Sequence, residues 1–152
     1  MDSKIKVVKT TSENPDFLSL IKRFDTYLWE RYPELKTNYW GNNIIELNPN
    51  VVVIYLDENP VACGCFKKYN KNTIEIKRMF VAPEARGLGL AQRILQELEL
   101  WAKELGYSIS ILETLYKQQE AISLYQKVGY AVVDNYEPYV GLDKSVCMKK
   151  QI

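Results

Sequence analysis

Hydrophobic and polar positions follow two different periods along this chain, and the changes between them mark the elements. Lys4 to Lys9 reads as a short edge strand. Asn14 followed by Pro15 marks a helix start, with Asn as the N-cap and Pro at the first helical position. Phe17, Leu20, Ile21, Phe24 and Leu28 follow at helical spacing, and Pro33 stops the run. Tyr27 to Trp40 is dense in aromatic residues and poorly periodic, and reads as a second short helix or a loop.

From residue 51 the pattern is that of strands. Val51 to Leu56 is a β-branched apolar run, Asp57-Glu58-Asn59-Pro60 a turn, Val61 to Tyr69 a second strand, Asn70-Lys71-Asn72 a second turn and Thr73 to Val81 a third strand. Three strands joined by short turns predict an antiparallel meander. The helical period then returns in Leu88, Ala91, Ile94, Leu95, Leu98, Trp101, Ala102 and Leu105, ended by Gly106. Ser108 to Glu113 reads as a strand, Gln118 to Val128 as a helix, and Tyr130 to Val133 and Ser145 to Lys149 as final strands. The order β-α-α-β-β-β-α-β-α-β-β, without repeats or linkers, predicts one α/β domain over residues 1–152.

Composition narrows the chemistry. The chain has 152 residues, 47% apolar and 26% charged, as a soluble globular domain has. A net charge of +1 gives no electrostatic case for nucleic acid or a membrane surface. No apolar run approaches the ~20 residues of a membrane span, and Met-Asp-Ser-Lys-Ile-Lys at the start carries no apolar signal region. Three cysteines, Cys63, Cys65 and Cys147, fit a reducing cytoplasm better than a disulfide scaffold, with Cys63 and Cys65 as core thiols rather than metal ligands. The chain contains no histidine. Ser-His-Asp and Cys-His catalysis and imidazole-bound zinc are therefore excluded.

The segment with chemical content is Arg86-Gly87-Leu88-Gly89-Leu90-Ala91, where a strand runs through a turn into a long helix. Glycines at a helix start leave the first N–H groups bare at the positive end of the dipole, a setting that favours a pyrophosphate. A Walker loop would need Gly-Lys-Ser/Thr, whereas Leu90 and Ala91 follow Gly89. A dinucleotide fingerprint would need Gly or Ala where Gln92 stands, and would follow the first strand of a parallel sheet. A glycine-softened helix start with no ligand is the bland alternative for this fragment.

Arg86, Gly89 and Ala91 fill, in register, the Gln/Arg-x-x-Gly-x-Gly/Ala signature of the GNAT superfamily of acetyl-CoA-dependent N-acetyltransferases, which the chain resembles. Ala121, Tyr125, Gly129 and Tyr130 likewise match that family's closing helix, Ala-x-x-x-Tyr-x-x-x-Gly-Phe/Tyr, and the order of elements matches over nearly the whole chain. The resemblance implies a mixed, mostly antiparallel central sheet flanked by helices. It implies transfer of an acetyl group from acetyl-CoA, as co-substrate and without a metal, to a primary amine on a small molecule or peptide. A non-catalytic acetyl-CoA-binding sensor of the same fold is the alternative.

The resemblance also assigns residues. Backbone amides of Arg86, Gly87, Leu88, Gly89, Leu90 and Ala91 would hold the pyrophosphate. The main chain of Met79, Phe80 and Val81 would pair with the pantetheine arm, one amide polarising the thioester carbonyl. The Arg86 side chain is either a phosphate partner or a solvated cation. Gln118 stands where many relatives carry an Asn that binds the pantetheine arm. An amine of pKa ~10 needs a base, and Glu75 occupies the place of the base in the histone-acetylating branch. Strand alternation would put Glu75, Lys77, Met79 and Val81 on one face; Glu75 would otherwise simply pair with Lys77 or a cross-strand partner. Glu113 is a second candidate base. Tyr125 is either the acid that protonates the departing thiolate or a core aromatic. The aromatics Tyr27, Trp29, Tyr32, Tyr39 and Trp40 fall at the family's acceptor wall, and Tyr136 to Gly141, with Glu137 and Asp143, at the opposite one. Bulky Met79 and Phe80 favour a small acyl group, and exposed late strands offer a route to a homodimer.

Overall fold

The computed structural model describes residues 4–33 and 48–152, arranged as seven strands and three helices. The strands are β1 (Ile5–Thr10), β2 (Val51–Leu56), β3 (Asn59–Lys68), β4 (Thr73–Val81), β5 (Ile109–Leu115), β6 (Ala131–Val133) and β7 (Ser145–Gln151). The helices are α1 (Pro15–Arg31), α2 (Leu90–Glu104) and α3 (Gln119–Lys127), and Pro83–Ala85 forms a 3-10 turn. The sheet order is β1-β2-β3-β4-β5-β7-β6. β1–β2, β2–β3, β5–β7 and β6–β7 are antiparallel, whereas β4–β5 is parallel over four pairs, Thr73–Ile109 to Ile76–Leu112. This is the mixed, mostly antiparallel sheet that the sequence predicts. The expected second helix or loop between Tyr27 and Trp40 runs into residues 34–47, outside the described residues; Tyr27 itself belongs to α1.

The chain divides into two compact units, Met1–Cys65 with Arg78–Leu98, and Phe66–Lys77 with Glu99–Ile152. In the first, the Asn14 side chain accepts the N–H groups of Asp16 and Phe17 at 2.8 and 3.2 Å, so α1 starts where the Asn-Pro pair places it. Phe17, Leu20 and Ile21 of α1 pack on Val51 and Val53 of β2, Cys63 and Cys65 of β3, and Phe80 and Ala82. On the opposite face of β3, Gly64 admits α2 closely. A Cβ there would lie 2.6 Å from Met79 Sδ and 2.8 Å from Ile94 Cγ2. In the second unit, Phe66 meets Trp101 and Tyr107 edge-on at 5.9 and 6.4 Å. Among the described residues no helix is long and apolar enough to cross a membrane.

Candidate active site

The residues with chemical potential fall into two groups, one in each unit. In the first unit, β4 ends at Val81 and the chain passes through the 3-10 turn to Arg86, whose backbone is extended. Gly87 (φ +84°) and Gly89 (φ +74°) are left-handed, and a Cβ on either would meet nothing within 4 Å. Backbone conformation, not crowding, is what requires glycine there. These two residues also correct the expected helix start. The spacing includes Leu88, but the left-handed Gly89 defers the helix to Leu90. The first helical bond runs from Arg93 N–H to Gly89 O at 3.1 Å. The N–H groups of Leu90, Ala91 and Gln92 therefore have no acceptor within the helix, at its positive end. A cavity of about 270 Å³ borders this turn, lined by Leu88, Gly89, Leu90, Gln92, Arg93 and Gln96 with Ile5. The cradle fits a phosphate group.

Arg86 turns back on its own strand. Its Nε donates to Val81 O at 3.2 Å, and its guanidinium lies 5.0 Å from the centre of the Tyr27 ring, which Arg31 also approaches at 5.1 Å. Phe80 stacks on Phe24 at 5.2 Å and meets Tyr27 at 6.4 Å. Tyr27, Phe80 and Pro83 line a groove of about 420 Å³ along α1, with Lys22, Thr26 and Glu30 at its rim.

The expected single face for Glu75, Lys77, Met79 and Val81 is not found. Arg78 has φ +59°, which breaks the pleat of β4. Along β3, Cys63 and Cys65 join the α1 core, Gly64 faces Met79, and Lys67, next in the odd series, is the partner of Glu75. Simple alternation therefore does not carry from Glu75 through to Met79. The Arg78 side chain, 6% exposed, pairs with Asp25 of α1 at 3.0 Å. Burial pushes the Asp25 carboxyl up, and the Arg78 charge opposes that shift. Cys63 Sγ donates to Arg78 O at 3.5 Å, and burial pushes its thiol up, as expected of a core cysteine.

The second group gathers in the second unit. Glu75 is only 2% exposed. Its Oε2 accepts from the Tyr136 hydroxyl at 2.7 Å, and Lys67 Nζ lies 3.9 Å from Oε1, so the cross-strand partner is real. Lys77 Nζ donates to the Tyr139 hydroxyl at 3.2 Å. The Tyr136 ring is held edge-on by Tyr69 and Tyr139 at 5.2 and 5.5 Å. Glu113, on β5, accepts from Ser145 Oγ at 2.8 Å. Burial pushes its carboxyl up to about 7, with Ser145 and Lys77 opposing and Glu75 adding to the rise. Tyr125 is buried on α3, edge-on to Tyr130 at 5.9 Å. Burial, and then the charge of Glu113, push its phenol up, so it remains a protonated donor through the neutral range. Burial likewise pushes the Cys147 thiol up to about 11, which disfavours its thiolate at neutral pH.

Tyr130 donates to Glu99 at 2.9 Å and shares a hydrogen bond with Ser110 at 2.8 Å; Lys150 donates to Glu99 at 2.7 Å. Of this network, Tyr130 is the member that meets the Tyr125 ring. Gln118 precedes α3 instead of opening it, and its side-chain carbonyl accepts from Thr114 Oγ1 at 2.7 Å. Glu137 and Asp143 are exposed, and Tyr39 and Trp40 lie outside the described residues. Sequence reasoning missed Asp25, Lys67 and Ser145. Their partners stand 53, 8 and 32 positions away, and no local pattern announces such pairs.

Comparison with known proteins shows the family and the fold. The Acetyltransferase (GNAT) family matches residues 14–130, and the chain belongs to that family of acetyltransferases. It is 32% identical over 142 residues to an IAA acetyltransferase of Azospirillum brasilense, covering 89% of this chain and 90% of that protein. Its fold is that of an N-acetyltransferase from Thermoplasma acidophilum solved in complex with coenzyme A (TM-score 0.70, 19% identity, 98% and 99% coverage). A GNAT family acetyltransferase from Elizabethkingia anophelis with acetyl-CoA bound is similarly close (TM-score 0.69, 18% identity, 97% and 98% coverage).

Proposed function

We propose that the whole chain acts as one N-acetyltransferase domain that moves an acetyl group from acetyl-CoA to a primary amine by direct attack. The observation that carries the reading is the left-handed Gly87–Gly89 turn ahead of the bare amides of Leu90, Ala91 and Gln92. That turn is suited to the pyrophosphate of the cofactor. Acetyl-CoA supplies a thioester; the rest of the chemistry falls to the chain. The main chain of Met79, Phe80 and Val81 lies past the end of the four-pair β4–β5 ladder, and pairs with the pantetheine arm. One of its N–H groups stabilises charge on the carbonyl oxygen. Gln118 is a lesser candidate for that arm, since its carbonyl is engaged by Thr114 and only its amide N–H group remains to donate.

Glu75 takes the proton of the acceptor ammonium, directly or through water, with Glu113 as the competing base. The neutral nitrogen then attacks the acetyl carbon, and as the C–S bond breaks the nitrogen releases its second proton to solvent. Tyr125 gives its proton to the departing sulfur and regains one from solvent. The absence of histidine leaves carboxylates and phenols as the proton carriers.

Gly89→Asp tests the cofactor assignment, because it adds a left-handed strain and a negative charge where a phosphate would sit. A folded variant should lose acetyl-CoA affinity by more than about tenfold in calorimetry, roughly 1.4 kcal/mol. Undiminished affinity would remove the turn from the site. Release of free thiol from acetyl-CoA, screened over amine classes, identifies the acceptor.

A further inference from the structure

Two locally unfavourable features coincide in β4. Arg78 is left-handed, a conformation that glycine adopts without penalty and other residues avoid. Its guanidinium is also buried, with a partly buried carboxylate as partner: the Arg78 and Asp25 side chains are 6% and 16% exposed and 3.0 Å apart. Buried ion pairs seldom stabilise a fold beyond what apolar residues would do in their place. Strain and burial of charge at one position point instead to a geometry that the rest of the structure enforces. The enforced geometry is that of the segment just downstream. After Arg78 the pleat resumes with Phe80 stacked on α1 and Met79 turned to Gly64 and α2. Asp25 lies on the same helix as Phe24, so one element holds both the bulge and the ring beyond it.

We propose that the Asp25–Arg78 pair is a positioning device, which locks the left-handed turn of β4 and thereby aims the main-chain N–H groups of Met79 to Val81 at the thioester carbonyl. The proposal rests on the reading of that segment given above. Neither side chain touches the reacting atoms; both act through the backbone between them and the carbonyl.

The test uses Asp25→Asn and, because that variant could lose its fold, Arg78→Gly, which adopts φ +59° with no side chain to clamp. Two quantities are read on each: kcat against acetyl-CoA affinity, and the infrared carbonyl stretch of bound acetyl-CoA labelled with carbon-13 at the carbonyl. Wild type should shift that stretch to lower frequency than in water. Both variants should bind acetyl-CoA within about threefold of wild type, lose at least about tenfold in kcat, and show a carbonyl stretch moved back toward its value in water. Asp25→Glu, which keeps the charge, should recover part of both. Folded variants with wild-type kcat and carbonyl frequency overturn the positioning role alone. A wild-type protein that binds acetyl-CoA without shifting its carbonyl overturns this proposal together with the assignment of Met79 to Val81.

Discussion

Replacing Glu113 by Gln should change how stability depends on pH. The Glu113 carboxyl is pushed by burial from 4.5 up to about 7, against the pull of Ser145 and Lys77. The folded protein therefore holds this proton to higher pH than the unfolded chain does. The stability it contributes is complete below about pH 4.5 and falls as pH rises through about 7, because the native state binds the extra proton in that window. At about 1.36 kcal/mol per pH unit, the loss across the window is on the order of 3 kcal/mol. Gln keeps the shape and hydrogen-bonding capacity of the protonated acid and cannot ionise. Wild type and Glu113→Gln should have similar stability near pH 4.5, and the variant should be the more stable at pH 8. Other groups also titrate: Asp25 shifts in the same direction, and the exposed Glu84, lowered by its hydrogen bond to Arg23, in the opposite one. Both are common to the two proteins and cancel in the difference. Urea unfolding at half-unit steps from pH 4.5 to 8 measures that difference. A gap between the two proteins that stays constant with pH would refute the argument, since it would mean that Glu113 titrates alike in the folded and unfolded chains.

Three further outcomes follow from the site and its supports. Glu75→Gln should lower kcat by ~10²–10⁴-fold at unchanged acetyl-CoA affinity; an unchanged kcat would leave Glu75 only its contacts with Tyr136 and Lys67. Tyr125→Phe should cost a similar factor in single-turnover transfer while the melting temperature moves little. A destabilised but fully active variant would make Tyr125 a structural aromatic. Gly64→Ala should destabilise the protein by ~1–3 kcal/mol in urea unfolding, because its Cβ would overlap Met79 and Ile94; wild-type stability would show that α2 yields freely.

What the sequence disclosed was whatever local chemistry decides. Asn14 caps its own helix two and three residues away, the strands at 51–56 and 73–81 end on turn residues, and Gly106 is left-handed after α2. The Arg86-x-x-Gly-x-Ala motif could be read for the same reason, as it is a single turn whose conformation its own glycines set. Apolar spacing alone starts α2 two residues too early, because it cannot register the φ of Gly87 and Gly89. The break in β4 left no mark at all: Thr73 to Val81 looks like an uninterrupted strand, and arginine is not a residue that signals a left-handed turn. The ion-pair partner of Arg78, Asp25, stands 53 positions earlier.

The reach of sequence therefore stops where a residue's state is set by a partner remote in the chain, and the titratable groups of the second unit are of this kind. Glu75 meets a phenol 61 positions on, Glu113 a hydroxyl 32 positions on, and Lys77 a phenol 62 positions on. A chain without histidine has no side chain that titrates near neutrality by default. Any group that does so must be brought there by its surroundings, and burial of Glu113 does this by pushing a carboxyl up to about 7. The same burial keeps the Tyr125 phenol protonated. Desolvation in the second unit thus acts with the same sign on both groups, and their ordinary values set the outcome: it brings a carboxyl toward neutrality and takes a phenol further from it.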